Sequence, residues 1–183
     1  MRYIQRHDSS QAPQAAADAD AKAATETDVL FYGSVNAYRA DALERLRRAG
    51  LLVRLANPDG DVVSGGALHD AIAGAKIVLN LRYRGDDNEW KLTRLLPLLA
   101  NARFVLSEMC GHATERARFA AGLLFAHSTA DLVRQALHYA DAHNAPARRA
   151  VAAAGCAISR QLREADVLRD AIGDLPGVHT GTQ

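Results

Sequence analysis

DVLFYGSVNAYR, residues 28–39, runs an apolar-rich strand into a Gly33-Ser34 turn and then into a helix whose mouth carries Asn36 and Arg39. A strand that ends in small residues and feeds a helix is a common way to build an anion site. Glycine lets a ligand approach the backbone, and the helix N-terminus offers unpaired N–H groups at the positive end of its dipole. The plain alternative is a tight strand-to-helix turn with a serine cap, which needs no ligand at all.

Working outward, short apolar runs alternate with amphipathic stretches. Val29–Tyr32 reads as a buried strand, and Tyr38–Ala49 as a helix with Leu43, Leu46 and Ala49 on one face and Gly50 at its stop. Strands follow at Leu51–Leu55, Ile77–Leu81, Phe104–Leu106 and Leu123–Ala126. Helices are expected at Ala67–Ala73, Trp90–Ala100, Thr114–Ala121, Ala130–Ala142 and Ala147–Leu168. In the Trp90–Ala100 helix Leu92, Leu95, Leu96 and Leu99 repeat at helical spacing, and Pro97 should kink it or shift its start. This alternation predicts an α/β fold: a Rossmann-like doubly wound parallel sheet of about five strands, with helices on both faces. Ligands of such sheets bind beyond the C-terminal strand ends. That rule selects Gly33, Ser34, Asn36, Asn57, Asn80, Arg82, Tyr83, Ser107, Glu108, His127 and Ser128.

Residues 8–27 are almost wholly Ala, Asp, Gln, Ser and Thr, which reads as a flexible lead-in or, alternatively, an Ala-rich helix over Gln14–Ala24. The expected organisation is therefore a lead-in at 1–27, one domain at 28–172 and a tail at 173–183. Lys and Arg total 22 against 21 Asp and Glu, so no global field attracts nucleic acid or anionic lipid, and recognition by charge must be local. No apolar run is long enough to span a membrane. Cys110 and Cys156 have no metal-ligand spacing and are too few for a disulfide framework, which points to a reducing cytoplasm. No metal site, zinc motif or phosphate-binding P-loop is expected.

Beyond these physical readings, a set of motifs recurs in order along the chain. Tyr32-Gly33-Ser34 is followed by Asn36 and Arg39, and then by Asp70-Ala71-Ile72-Ala73-Gly74-Ala75-Lys76-Ile77-Val78-Leu79-Asn80. Next come Arg94-Leu95-Leu96, Leu98-Leu99-Ala100-Asn101 and Phe104-Val105-Leu106-Ser107-Glu108. Over roughly residues 28–160 this order resembles the C-terminal, donor-binding half of bacterial two-domain (GT-B) glycosyltransferases of the capsule and spore-coat group. The resemblance implies that the substrate is a nucleoside diphosphate sugar and that no cofactor or tightly bound metal is needed. It places Gly33, Ser34 and Arg39 near the donor diphosphate, with Asn36 beside them. Asn80 and Arg82 would line the donor cleft, Lys91 and Arg94 would face it, and Glu108 would orient sugar or backbone groups. It assigns no catalytic residue.

Two features depart from that pattern. Lys91 stands where the group carries a glutamate that binds ribose hydroxyls, and a lysine cannot accept those bonds. Lys91 and Arg94 are three apart on one helix face, a repulsion that a diphosphate, solvent or nearby acids would relieve. The second departure is length, which leaves no room for an acceptor domain, so transfer is expected to need a second domain or a partner protein. The competing expectation is a non-catalytic Rossmann-like protein serving interaction or regulation.

Overall fold

The computed structural model describes residues 27–56, 65–86, 92–109, 111 and 113–162. Five strands form one sheet: β1 (Thr27–Tyr32), β2 (Val53–Ala56), β3 (Ala75–Asn80), β4 (Val105–Glu108) and β5 (Leu124–Ala126). Every pairing is parallel, and the spatial order is β2-β1-β3-β4-β5. This is a doubly wound α/β sheet, with the strand order reversing between β1 and β3. The two most apolar runs occupy its interior. Val29, Leu30, Phe31 and Ile77 are fully buried, with Val78 and Leu79 nearly so. Parallel strands covered on both faces need such continuous apolar runs.

The helices are α1 (Ala37–Arg48), α2 (Gly65–Ala73), α3 (Leu92–Ala100), α4 (Ala113–Phe119), α5 (Thr129–Ala140) and α6 (Ala145–Gln161), with a 3-10 turn at Ala142–Asn144. Side-chain alternation along the strands divides them between two layers. Val29, Phe31, Ile77, Leu79 and Leu106 pack with Leu43 and Leu46 of α1 and Leu132 and Ala136 of α5. Leu30 meets Ala71 of α2, and Val78 and Val105 meet Leu95, Leu98 and Leu99 of α3 and Phe119 of α4. α6 supplies Ala152 to the first layer and Ile158 and Leu162 to the second, so it runs from one to the other. Each fully buried Leu or Phe here contributes about 2 kcal/mol relative to exposure.

Local signals explain the boundaries. Asn36 caps α1, its side chain accepting from Arg39 N–H. At the other end Gly50 takes φ +92°, its N–H donates to Arg47 O, and Leu51 N–H reaches back to Leu46 O. That is the left-handed stop expected of a glycine after the last turn. Pro97 lies inside α3 beyond its first turn, where it cannot donate the usual bond to the carbonyl four residues back. Leu98, outside the spacing read from sequence, is also buried, in the cluster that holds Val78, Val105 and Phe119. Among the described residues no helix is long and apolar enough to cross a membrane. The expected lead-in (apart from Thr27, which opens β1), the tail, Asn57, Lys91, Trp90 and Cys110 lie outside the described residues.

Candidate functional site

The strand-end loops at the reversal point are tied together by one side chain. Arg39 is 6% exposed, and its guanidinium donates to three backbone carbonyls. Nε bonds Arg82 O at 2.9 Å, Nη1 bonds Ser34 O at 2.8 Å, and Nη2 bonds Leu81 O at 2.9 Å. The cation also lies between two rings, 5.4 Å from the Phe31 centroid and 5.1 Å from that of Tyr83. Asn36 adds a second link, Nδ2 donating to Tyr83 O at 2.6 Å. Arg39 thus fills the space between the β1 and β3 loops with groups already hydrogen-bonded. Ser34, exposed beside it, offers its carbonyl and Oγ to the same guanidinium.

On the α1 side of the sheet, Glu108 is 4% exposed. Its Oε1 accepts from the Tyr38 hydroxyl at 2.6 Å and its Oε2 from Arg82 N–H at 2.7 Å. The Arg82 guanidinium stands 3.8 Å from Oε2 and donates through Nη2 to Tyr38 Oη at 3.2 Å. Arg82 Nε is buried without a hydrogen-bond partner among the described residues. Burial pushes the Tyr38 hydroxyl above its ordinary pKa, the adjacent carboxylate adds to the rise, and Arg82 opposes it. Glu108 therefore ties the loop after β3 to the first turn of α1.

The α3 side carries a different set. β1 and β3 pair Phe31 with Leu79, and β3 and β4 pair Asn80 with Ser107. Tyr32, Asn80 and Ser107 therefore form a row across the strand ends. Arg94, in the first turn of α3, lays its guanidinium over the Tyr32 ring at 4.2 Å from the centroid. It also reaches across Gly33, where a Cβ would stand 2.4 Å from Nη2. Gly33 adopts φ +123°, so neither the backbone nor the space would accept a side chain there. Among the described residues no carboxylate pairs with Arg94. Tyr32 Oη donates to Arg94 O at 3.3 Å, and burial raises its pKa against the pull of the Arg94 charge. Asn80 is 4% exposed; its Nδ2 donates to Ser107 Oγ at 2.9 Å, while its Oδ1 is buried with no partner among the described residues.

Of the residues selected from sequence, Gly33 and Arg94 are in direct contact, and Asn80 shares their side of the sheet. Glu108 and Arg82 form a separate group with Tyr38. Ser34, Asn36 and Arg39 serve the loop clamp. The sequence reading did not single out Tyr38, and it left Tyr32 as strand and motif. Their roles follow from ring stacking and one hydroxyl bond, which no spacing pattern announces.

Below Arg94 and Tyr32 a cleft of about 750 Å³ opens between α2 and α3. Leu68, Asp70 and Ile72 line it from α2 and Pro97 and Leu98 from α3, with Asn101 just past the end of α3. Among the described residues no group of three His, Cys, Asp or Glu could hold a metal ion. His127 donates its N–H to the Asp131 carboxylate, which that bond holds below its ordinary pKa. No protein-family model and no curated protein sequence matches the chain.

Proposed function

We propose that the chain binds a nucleoside diphosphate sugar at the α3 side of its strand ends, as the donor half of a glycosyltransferase-like protein. Transfer then requires an acceptor domain or a partner protein, and the site works in the cytoplasm. The observation that carries this reading is Arg94: a guanidinium braced on Tyr32, laid against a side-chain-free Gly33, with no acid among the described residues paired to it. A braced arginine loses little entropy when it takes up an anion, and its planar fork suits phosphate oxygens. Asn80 Oδ1, an acceptor without a donor among the described residues, is the group on that side that a sugar or ribose hydroxyl would satisfy once the loop adjusts. In the transfer step Arg94 would stabilise negative charge on the departing diphosphate.

Calorimetry with uridine, guanosine, thymidine and cytidine diphosphates tests the proposal. One of them should bind at sub-millimolar concentration. Arg94→Ala should weaken that binding at least tenfold, about 1.4 kcal/mol, and Gly33→Ala should act likewise by displacing the guanidinium. If none binds at millimolar concentration, donor binding is refuted.

The second reading is an interaction or regulatory protein on the same fold. Its support is the clamp: Arg39, Asn36 and Ser34 occupy the space at the strand-order reversal, where ligands of this architecture usually lie. Absence of nucleotide binding alongside a folded, cooperative protein would favour it.

A further inference from the structure

We infer that the cleft between α2 and α3 receives the nucleobase of the bound donor, and that Asp70 selects guanine. The inference rests on the donor-binding reading above and concerns the direction in which the ligand lies. Arg94 stands at the strand-end mouth of the cleft and Asn101 at its far end. Seven helical residues separate them, about 10 Å along the axis, which is the reach of a nucleoside from its 5′ oxygen to the far edge of its base. The volume of about 750 Å³ falls in the range of small-molecule sites, roughly 300–1,000 Å³. Its lining includes apolar groups from both helices, Leu68 and Ile72 of α2 and Pro97 and Leu98 of α3, against which an aromatic base can pack.

With Arg39 blocking the gap between the β1 and β3 loops, a diphosphate held by Arg94 has its open path on the α3 side. The base then descends into the cleft and meets Asp70. That carboxylate has no hydrogen-bond or ion-pair partner among the described residues. Ionised, it can only accept. Guanine alone presents two neighbouring donors, its ring N–H and its exocyclic amine, to the two oxygens of a carboxylate. Uracil and thymine flank their single N–H with carbonyls. Cytosine and adenine set a ring acceptor beside the amine. All four place a lone pair against Asp70.

Binding of guanosine diphosphate, uridine diphosphate and inorganic pyrophosphate to the full chain and to two variants tests this. Ala73→Trp, one helical turn from Asp70 on the cleft wall, should weaken guanosine diphosphate at least tenfold and change pyrophosphate less than twofold. Asp70→Asn should abolish most of the preference for guanosine over uridine diphosphate. Undiminished guanosine diphosphate binding by Ala73→Trp overturns the cleft assignment while leaving donor binding intact. Equal affinity of the unaltered chain for the two nucleotides overturns the role of Asp70. If neither a nucleotide nor pyrophosphate binds the unaltered chain, both this inference and the donor reading fall.

Discussion

Replacing Gly155 with alanine sets two effects of opposite sign against each other. Gly155 lies inside α6, where alanine gains about 1 kcal/mol of helix propensity over glycine. The packing argues the other way. A Cβ at 155 would stand 2.8 Å from Gly122 O and 2.9 Å from Leu99 Cδ2. The leucine methyl can turn aside. The carbonyl cannot, because it belongs to a tight turn closed by Gly122 N–H on Phe119 O at 2.9 Å. α6 must therefore back away by roughly 0.5 Å, a gap that forfeits about a quarter of each contact it makes. Those contacts include buried Ala152 and Cys156, half-buried Ile158 and Leu162, and the Cys156 Sγ–H bond to Ala100 O. Overpacking against backbone falls at the upper end of its range, about 3 kcal/mol. The net loss should be about 2 kcal/mol, lowering Tm by about 4–8 °C for a chain of this size.

Gly122→Ala should be worse, since its Cβ would lie 2.2 Å from Gly155 Cα and 2.3 Å from Gly155 N, with only backbone to yield. Urea unfolding with a thermal scan reads both variants, and Ala153→Gly, at an exposed position of the same helix, calibrates propensity alone at about 1 kcal/mol. If Gly155→Ala leaves Tm unchanged or raises it, α6 does not seat on the Gly122 turn as described and the packing argument fails.

Two further outcomes follow from the strand-end loops. Arg39→Ala should cost about 3 kcal/mol in urea unfolding by stranding the carbonyls of Ser34, Leu81 and Arg82, and Arg39→Lys should recover only part of it, because one ammonium cannot span three acceptors; full recovery by lysine would refute the clamp. Tyr32 and Tyr38 both have raised pKa values in the fold, so above the ordinary tyrosine value near 10 the unfolded chain releases protons first and stability falls as pH rises. Below that value their contribution is constant. Tyr38→Phe should flatten this alkaline loss in pH-dependent unfolding; an identical slope would mean that neither burial nor the Glu108 bond raises the Tyr38 hydroxyl as described.

The sheet was legible in the sequence because burial on both faces demands uninterrupted apolar residues. Val29–Phe31 and Ile77–Leu79 are short, β-branched-rich apolar runs bounded by turn residues, the pattern of strands covered on both faces. Asn36 and Gly50 likewise announced the two ends of α1 through chemistry local to each position. Arg39 was read from the same local window as a residue near a ligand, yet its three acceptors come from residues 34, 81 and 82. Two of those are more than forty positions away and are backbone, which carries no sequence signature. Leu98 illustrates a similar limit. The helical stripe read from sequence covers Leu95 and Leu99, whereas Leu98 is buried by contacts with Val78, Val105 and Phe119 from other elements, which α3's own spacing does not announce. The strand ends were thus found by architecture, whereas which of their polar groups remain unengaged depends on loop-to-loop contacts.

The placement of β1 has a consequence for how the chain is made. Phe31 and Val29 are fully covered only when β3 pairs alongside them and Leu132 and Ala136 of α5 join Leu43 and Leu46 of α1 over them. Those helix residues emerge from the ribosome roughly a hundred positions later, a delay of about 5–20 seconds at ordinary synthesis rates. During that interval the first strand is covered only by α1 and by pairing with β2. Slowing translation between α3 and α5 lengthens this exposure, and the yield of native protein should fall with it even though the finished sequence is unchanged.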